Sequence, residues 1–399
     1  LSGSIADLGL KMLRLKTGTP PRLKPSSIDF SDLAVEIGDS GKYSFSYDTN
    51  WFLPQDKMIK CHLTYTNETT HKIIREHLKD SAMYGGVVTG VGPRYCPSIE
   101  DKVVRFANKK RHQLFLEPES VYFDSIYLQG FSTSMPEEVQ VQMVHSLKGL
   151  EHAEFLKYAY AIEYDAIEPS QLDHTLQVKG INGLYICGQI AGTSGYEEAA
   201  ALGLMAGINA SLSIMHRPPL ILSRDEAYIG IMIDDLVTKG TNEPYRLLSS
   251  RSEYRLITRN DNADIRLLKK GYQVGLVSED RFNRLNQSNE EIFNCIHILE
   301  SHQIAAQQKV RDYIKSLGFP EPNGNETLKQ TMKRQNVSYN ELCKCVDYLP
   351  HLNQEQIFKL ETQIKYEGYI TQEIKECQRR KQYEDLELSS DIDYLHMDG

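Results

Sequence analysis

Gly183-Leu-Tyr-Ile-Cys-Gly188, then Gln189-Ile-Ala-Gly-Thr-Ser-Gly195, then Tyr196 through Ser213, carries the clearest fold signal in this chain. A short apolar run closed by glycine predicts a strand. The Gly-, Ser- and Thr-rich stretch predicts a loop. The Ala-rich run predicts a helix, with Glu197 and Glu198 in the first turn, where negative charge suits the helix dipole. Pro218-Pro219 closes the unit. A strand that feeds a helix through such a loop leaves backbone N–H groups free at the helix start, ready for an anionic or electron-rich ligand edge. Ala199, Ala200, Ala201, Gly203, Ala206 and Gly207 permit close approach of a cofactor or a neighbouring strand. The same pattern also serves a packed α/β crossover without a ligand, because such units recur on many folds.

Upstream of this unit, Lys16 to about Ser31 holds one glycine and several prolines and reads as a turn between elements. Residues 33 to 165 mix short alternating runs with Gly and Pro breaks. Lys60-Cys-His-Leu-Thr-Tyr65 and Gln113-Leu-Phe-Leu116 read as strands, Thr70 to Asp80 and Glu137 to Leu150 as helices. Downstream, Ser223 to Leu276 is polar and Arg-rich. From Glu279 onward the chain reads as helices, with a linker at Gly318 to Asn325 and one long helix over Leu352 to Gln382.

A chain of 399 residues can bury two or three cores. No stretch approaches the roughly 18 consecutive apolar residues of a membrane helix, and no signal peptide is legible. The 7 cysteines are scattered, with no Cys-x-x-Cys pair, so no structural zinc site is expected and reduced cytosolic thiols are. Asp234-Asp235 lacks an accompanying ligand cluster, so no metal is expected. A formal net charge of -9 argues against a basic coat over the whole surface, though not against a local basic patch. The chain opens without Met, and truncation at both ends is expected.

Two further segments carry chemistry. In Gly90-Val-Gly-Pro-Arg-Tyr-Cys-Pro-Ser98, glycine and proline fix the path around Arg94 and Cys96. Arg94 can offer a fork to phosphate, and a thiol between a cation and a helix start at Pro97 or Ser98 becomes a thiolate more readily. Alternatively Cys96 is a buried small hydrophobe, and Arg94 pairs with Glu100 or Asp101. In the second segment, Tyr245-Arg246 precede Arg251, Tyr254, Arg255 and Arg259. A helix there would align the arginines at every fourth residue into a stripe able to track a nucleic-acid backbone, with a tyrosine for stacking. The bland alternative is a solvated face paired to Glu253, Asp261 and Asp264.

Lys16-Thr-Gly-Thr-Pro-Pro-Arg22, Gly92-Pro-Arg-Tyr-Cys-Pro-Ser-Ile-Glu-Asp-Lys102, Phe115-Leu-Glu-Pro-Glu119, Ala161-Ile-Glu-Tyr-Asp165, Gly195-Tyr-Glu-Glu-Ala-Ala-Ala201, Glu243-Pro-Tyr-Arg246, Asp261-Asn-Ala-Asp264 and Lys365-Tyr-Glu-Gly-Tyr369 occur in this order. Over nearly its whole length the chain thereby resembles the MnmG/GidA family of tRNA uridine 5-carboxymethylaminomethyl modification enzymes.

The resemblance implies an α/β fold. It would comprise a partial glutathione-reductase-like FAD/NAD(P)-binding Rossmann domain, an inserted mixed α/β domain and a C-terminal helical domain. Residues 1–25 and 166–217 would be flavin-domain segments, 26–165 the NADH-linked insertion, 218–278 an Arg-rich connection, and 279–399 the helices that meet tRNA and partner. It implies FAD and NADH as cofactors, methylene-tetrahydrofolate as one-carbon donor, and the GTPase MnmE as partner. The product would be a carboxymethylaminomethyl or aminomethyl group on carbon 5 of the wobble uridine, made by a cytoplasmic homodimer. Cys96 matches a catalytic cysteine. Gly188, Gln189, Gly195 and Glu197 match flavin contacts. Gly92, Pro93, Arg94, Tyr95, Cys96, Pro97, Ser98, Ile99, Glu100, Asp101, Lys102, Val103, Val104, Arg105 and Phe106 match the dinucleotide segment. Arg246, Arg251, Arg255 and Lys365 are expected at the tRNA.

The family's N-terminal glycine-rich FAD fingerprint and its second implicated cysteine are absent, so the chain alone is not expected to hold FAD tightly. Ala191, Leu202 and Ala159 stand where the family pattern has Asn, Gln and Gly. Two alternatives are a folate- and FAD-dependent tRNA uracil methyltransferase of the TrmFO type, which lacks the long helical region, and a non-catalytic RNA-binding scaffold.

Overall fold

A computed structural model describes residues 2–41, 44–49, 51–93, 97–320 and 325–384. The chain divides into two compact units, Leu1–Ala206 with Leu236–Arg246, and Gly207–Asp235 with Leu247–Gly399.

In the first unit a short helix α1 (Ser2–Ala6) precedes the strand β1 (Met12–Thr19). The strands β2 (Arg22–Leu23), β3 (Ala34–Glu36), β4 (Cys61–Tyr65), β5 (Gln113–Pro118), β6 (Ile126–Gln129) and β7 (Phe155–Lys157) form a six-stranded sheet in the order β3-β4-β5-β6-β2-β7. Its pairings are antiparallel. Alternation places Leu114 and Leu116 of β5 and Ile126 and Leu128 of β6 inward. Three helices, α2 (Glu68–Glu76), α3 (Ile99–Arg105) and α4 (Glu137–His145), pack Ile74, Ile99, Val103, Met143 and Val144 into the same core. Each such buried aliphatic chain stabilises by about 1.5–3 kcal/mol. α2 starts where Asn67 and Thr70 form a capping box, and α3 starts where Ser98 Oγ accepts from the Asp101 N–H.

β1 leaves this sheet to pair antiparallel with β8 (Tyr160–Ile167), with Arg14 opposite Asp165 and Lys16 opposite Glu163. The expected turn from Lys16 is therefore corrected: Lys16–Thr19 complete a strand, because the ladder with β8 supplies their backbone partners. The expected strand at 183–188 is also corrected. Only Tyr185 makes a bridge, to Gln177, and the surrounding backbone is turn and loop. The helix that follows, α5 (Tyr196–Ile214), is present, and it ends ahead of Pro218.

The second unit is helical. α6 (Tyr228–Asp234), α7 (Ala263–Gln273), α8 (Glu279–Ser301), α9 (Gln308–Ser316), α10 (Leu328–Met332), α11 (Tyr339–Cys345) and α12 (Gln354–Glu384) follow in order. Ile292, Leu299, Ile314, Leu328, Leu342, Leu360 and Ile364 close its core. Of the expected linker, residues 321–324 lie outside the described residues. No helix among the described residues is long and apolar enough to cross a membrane.

Candidate functional site

Cys187 leads into a tight turn, Gly188–Ala191, through left-handed conformations at Gly188 (φ 73°) and Gly192 (φ 88°). The loop is then clamped: the Tyr245 N–H donates to the Gly192 carbonyl at 2.8 Å, and Thr193 bridges Tyr245. Thr193 is fully buried, and its hydroxyl has no hydrogen-bond partner among the described residues. The Ala199 N–H donates to the Gly195 carbonyl at 2.9 Å, which starts α5. A side chain at Gly195 would run into the Glu198 carboxylate and stand 2.7 Å from Arg246 Nη1, so it would have to displace that pair. Glu198 is almost buried and meets Arg246 Nε at 3.4 Å. Gln189, Tyr196 and Glu197 are exposed around this loop. Of the residues matched to flavin, Gly188 and Gly195 shape the backbone, while Gln189 and Glu197 present side chains outward.

A second loop lies along β1. The Val91 N–H donates to the Arg14 carbonyl at 3.1 Å, and the Lys16 N–H donates to Val91 at 2.9 Å. The Glu163 carboxylate accepts from the Gly90 N–H at 2.7 Å and the Thr89 N–H at 2.8 Å. Gly90 sits so close to β1 that a Cβ would stand 2.9 Å from the Leu15 carbonyl. The Gly90 hydrogen bond, then Arg14, hold the Glu163 carboxyl below its usual range. Arg14 spans Asp165 at 2.8 Å and Glu163 at 3.1 Å. Neither Arg14 nor Glu163 was singled out from sequence. Alternating charge on two strands, with Arg14 and Lys16 on one and Glu163 and Asp165 on the other, is the signal that could have found them.

Beyond Pro93, residues Arg94, Tyr95 and Cys96 lie outside the described residues. The segment resumes at Pro97 and enters α3. Glu100 faces inward and is fully buried. It accepts from Thr133 Oγ1 at 2.7 Å and the Ser134 N–H at 3.0 Å, and its Oε2 lacks a partner among the described residues. Lys102 donates to the Gly130 carbonyl at 2.9 Å, and Asp101 accepts from Tyr84 OH at 2.8 Å. The inner face (Ile99, Glu100, Val103) therefore anchors the segment, while Val104, Arg105 and Phe106 face outward.

In the second unit the arginine stripe is corrected. Ser249–Arg251 is a single tight turn and Tyr254–Thr258 is non-helical, so Arg251, Arg255 and Arg259 do not align on one helix face. Arg251 meets Asp235 at 3.5 Å, and Arg259 meets Asp261 at 2.9 Å. Glu253 turns instead to Arg224, at 2.7 Å, and Asp264 to Lys359, at 2.9 Å. Arg224 also takes Asp234 and Asp235, at 2.8 and 2.9 Å. Burial opposes its charge, but Glu253, Asp235 and Asp234 outweigh that and raise its pKa. Arg255 is exposed, and Lys365 meets Glu361 at 3.2 Å. Arg246 belongs to the first unit with Glu198, apart from the other expected tRNA residues in sequence grouping.

Residues 1–218 match the family model described as Glucose inhibited division protein A, and residues 279–374 match that of the tRNA modifying enzyme MnmG/GidA C-terminal helical domain. The tRNA uridine 5-carboxymethylaminomethyl modification enzyme MnmG of Clostridium botulinum (strain Hall) is 48% identical over 399 residues, 100% of this chain and 64% of that protein. The enzyme of the same name from Onion yellows phytoplasma (strain OY-M) is 48% identical over 99% of this chain and 63% of its own length. Aquifex aeolicus GidA in its form I crystal superposes with a TM-score of 0.85 at 42% identity, covering 99% of this chain and 63% of that one. The chain thus spans about 64% of the length of the first of these relatives. With a family model over more than half of its residues, a second over its helices, and the GidA arrangement of mixed α/β sheets followed by a helical domain, the chain belongs to the MnmG/GidA family.

Proposed function

We propose that this protein is a flavin-dependent, tRNA-modifying enzyme. With FAD, NADH and the GTPase MnmE, it adds a carboxymethylaminomethyl or aminomethyl group to carbon 5 of the wobble uridine, with methylene-tetrahydrofolate as the one-carbon source. It acts in the cytoplasm as a homodimer. The reading rests on family membership and on the activity named for the relatives. The observation that carries it to the residues is the Gly188–Gly195 loop, with a buried Thr193 hydroxyl, unpartnered among the described residues, beside the start of α5. A buried hydroxyl left without a partner is costly unless a ligand completes it. The loop therefore fits the edge of a flavin.

When bound, FAD supplies two-electron redox chemistry. Gly188, Gln189, Gly195 and Glu197 are the residues proposed to hold it, in a flavin domain made here of residues 1–25 and 166–217. Glu198 and Arg246 brace the turn from the side. Residues 26–165 form the proposed NADH-linked insertion, in which Gly92 to Phe106 receive the dinucleotide. There Glu163 fixes the Thr89–Gly90 backbone and Glu100 fixes α3. Cys96 is the proposed nucleophile, whose thiolate adds to the uracil ring and makes carbon 5 nucleophilic. Arg246, Arg255 and Lys365 are proposed to face tRNA, joined by the 218–278 connection and the helices from 279 onward, whereas Arg251, also expected there from sequence, is engaged by Asp235.

The test is mass spectrometry of tRNA nucleosides from cells with and without the full-length gene. Loss of the 5-aminomethyl-type wobble uridines on deletion supports the proposal, and unchanged nucleosides reject it.

A further inference from the structure

The β5–β6 hairpin ends in Val121-Tyr122-Phe123, residues exposed by 72%, 89% and 69%. Three consecutive exposed apolar residues add nothing to a core, and such patches mark binding surfaces. The loop that carries them is nonetheless built. The Glu119 N–H donates to the Ser125 carbonyl at 3.1 Å, Ser125 Oγ donates to Glu119 Oε2 at 2.7 Å, and the Tyr122 N–H donates to Ser120 Oγ at 3.0 Å. Glu119 is tied at 3.1 Å to Arg22, whose guanidinium lies over the Tyr127 ring.

Against this loop lies an open cavity of about 500 Å³. Its lining includes Phe30, Lys60, His62, Tyr122, Phe123 and Asp124. The Phe30 and His62 rings are 4.6 Å apart. Burial, then Lys60, push the His62 imidazole below its usual pKa, so near neutrality it offers one donor and one acceptor. The volume falls within the roughly 300–1,000 Å³ of small-ligand sites. Flat aromatic faces, one ammonium and two hydrogen-bonding groups are the equipment that recognises an unstacked base and its phosphate in single-stranded RNA.

We infer that this pocket holds one unstacked base of the RNA substrate, an inference that rests on the tRNA-modifying function proposed above. The base stacks on Tyr122 or Phe123, and Lys60 meets the backbone phosphate. Asp124, in the same lining, accepts an N–H from the edge of that base. A protein partner could cover the same apolar tip, but it would leave the recess with its Lys60, His62 and Asp124 unexplained.

The experiment is tRNA binding to the full-length, FAD-loaded protein, followed by fluorescence anisotropy over a range of salt. The Tyr122→Ala/Phe123→Ala double variant should weaken binding by about tenfold or more with an unchanged salt slope, because stacking is lost and no phosphate contact is. Tyr122→Phe should bind as wild type, and Lys60→Ala should lower the salt slope by about one. Equal binding by wild type and the double variant overturns the pocket and leaves the function standing. Failure of the wild type to bind tRNA at all overturns the function with it. Loss of a co-purifying protein from the double variant, with tRNA affinity intact, assigns the tip to a protein and overturns the inference.

Discussion

Arg246 Nε lies 3.4 Å from Glu198 Oε1, and the two side chains fill the space beside Gly195 where a Cβ would stand. Glu198 is in the first turn of α5, so its charge is favoured by the helix dipole as well as by the guanidinium. Its side chain is 6% exposed and has little room to swing away. Gly195→Ala should therefore destabilise the first unit by about 1–3 kcal/mol through overpacking, and it should lower the flavin content of the purified full-length protein. Thermal unfolding and the flavin absorbance of the same sample check this. Wild-type values of both would show that the pair yields freely and that Gly195 is not constrained by it.

The Lys359–Asp264 pair joins α12 to α7 at 2.9 Å, with side chains 6% and 2% exposed. Breaking a buried pair on one side leaves the other charge stranded, at a cost of about 3–5 kcal/mol, whereas replacing both sides with apolar residues is often neutral. Lys359→Met should lower the urea midpoint of unfolding strongly, and Lys359→Met/Asp264→Leu should recover most of the loss. Equal midpoints for the single and double variants would mean that Asp264 finds another partner when the lysine is gone.

The acid limb of stability should depend on His71 and His112. Their rings are 5.3 Å apart, and Thr66 links the His71 ring to the His112 backbone. Its hydroxyl accepts the His112 backbone N–H at 2.8 Å and lies 2.8 Å from His71 Nε2. Burial lowers both imidazole pKa values first. Arg75 opposes the proton on His71 while Glu68 favours it, and His71, Lys102 and Lys109 oppose the proton on His112. A depressed folded pKa means that the unfolded state binds the proton more readily. The stabilising contribution is then complete above about pH 6.5 and is lost as pH falls through the folded values. His71→Gln, which can still accept from Thr66, should flatten the decline in urea midpoint between about pH 7 and about pH 5. A decline as steep as in wild type would place the acid sensitivity in other groups.

Much of this architecture is legible locally, and the rest depends on partners distant in sequence. The long helix α12 follows from continuous helical patterning, and α3 from Ser98 three residues ahead of Asp101. The Arg251–Arg259 stretch has helical spacing but is not a helix. The Leu256 and Ile257 amides are taken at 3.0 and 2.7 Å by Glu373 of α12, a supply of hydrogen bonds that no local window contains. The short run ending at Gly188 reads as a strand from its apolar residues, yet its only described bridge is Tyr185 to Gln177. At the candidate site, the glycines and the small-residue helix were visible. The bracing by Arg246 and the carboxylate grip of Glu163 on Thr89 and Gly90 were not, because each joins elements far apart along the chain.

That redistribution of partners separates two arginines that look equivalent in sequence. Arg251 is drawn to Asp235, which also holds Arg224, so its charge is engaged in a network within its own unit. Arg255 is exposed, and no ion pair to it is seen among the described residues. An exposed guanidinium that meets a phosphate contributes to affinity in proportion to the counterion it displaces. Arg255→Ala should therefore weaken tRNA binding by the full-length protein and reduce the salt slope by about one, with thermal stability unchanged. Arg251→Ala should instead lower stability while leaving the salt slope near wild type, because it removes a cation from beside the almost buried Asp235. Salt-dependent binding isotherms and melting curves on both variants decide the matter. If the slope changes for Arg251→Ala and not for Arg255→Ala, the roles are reversed, and exposure is the wrong guide to which arginine meets the RNA.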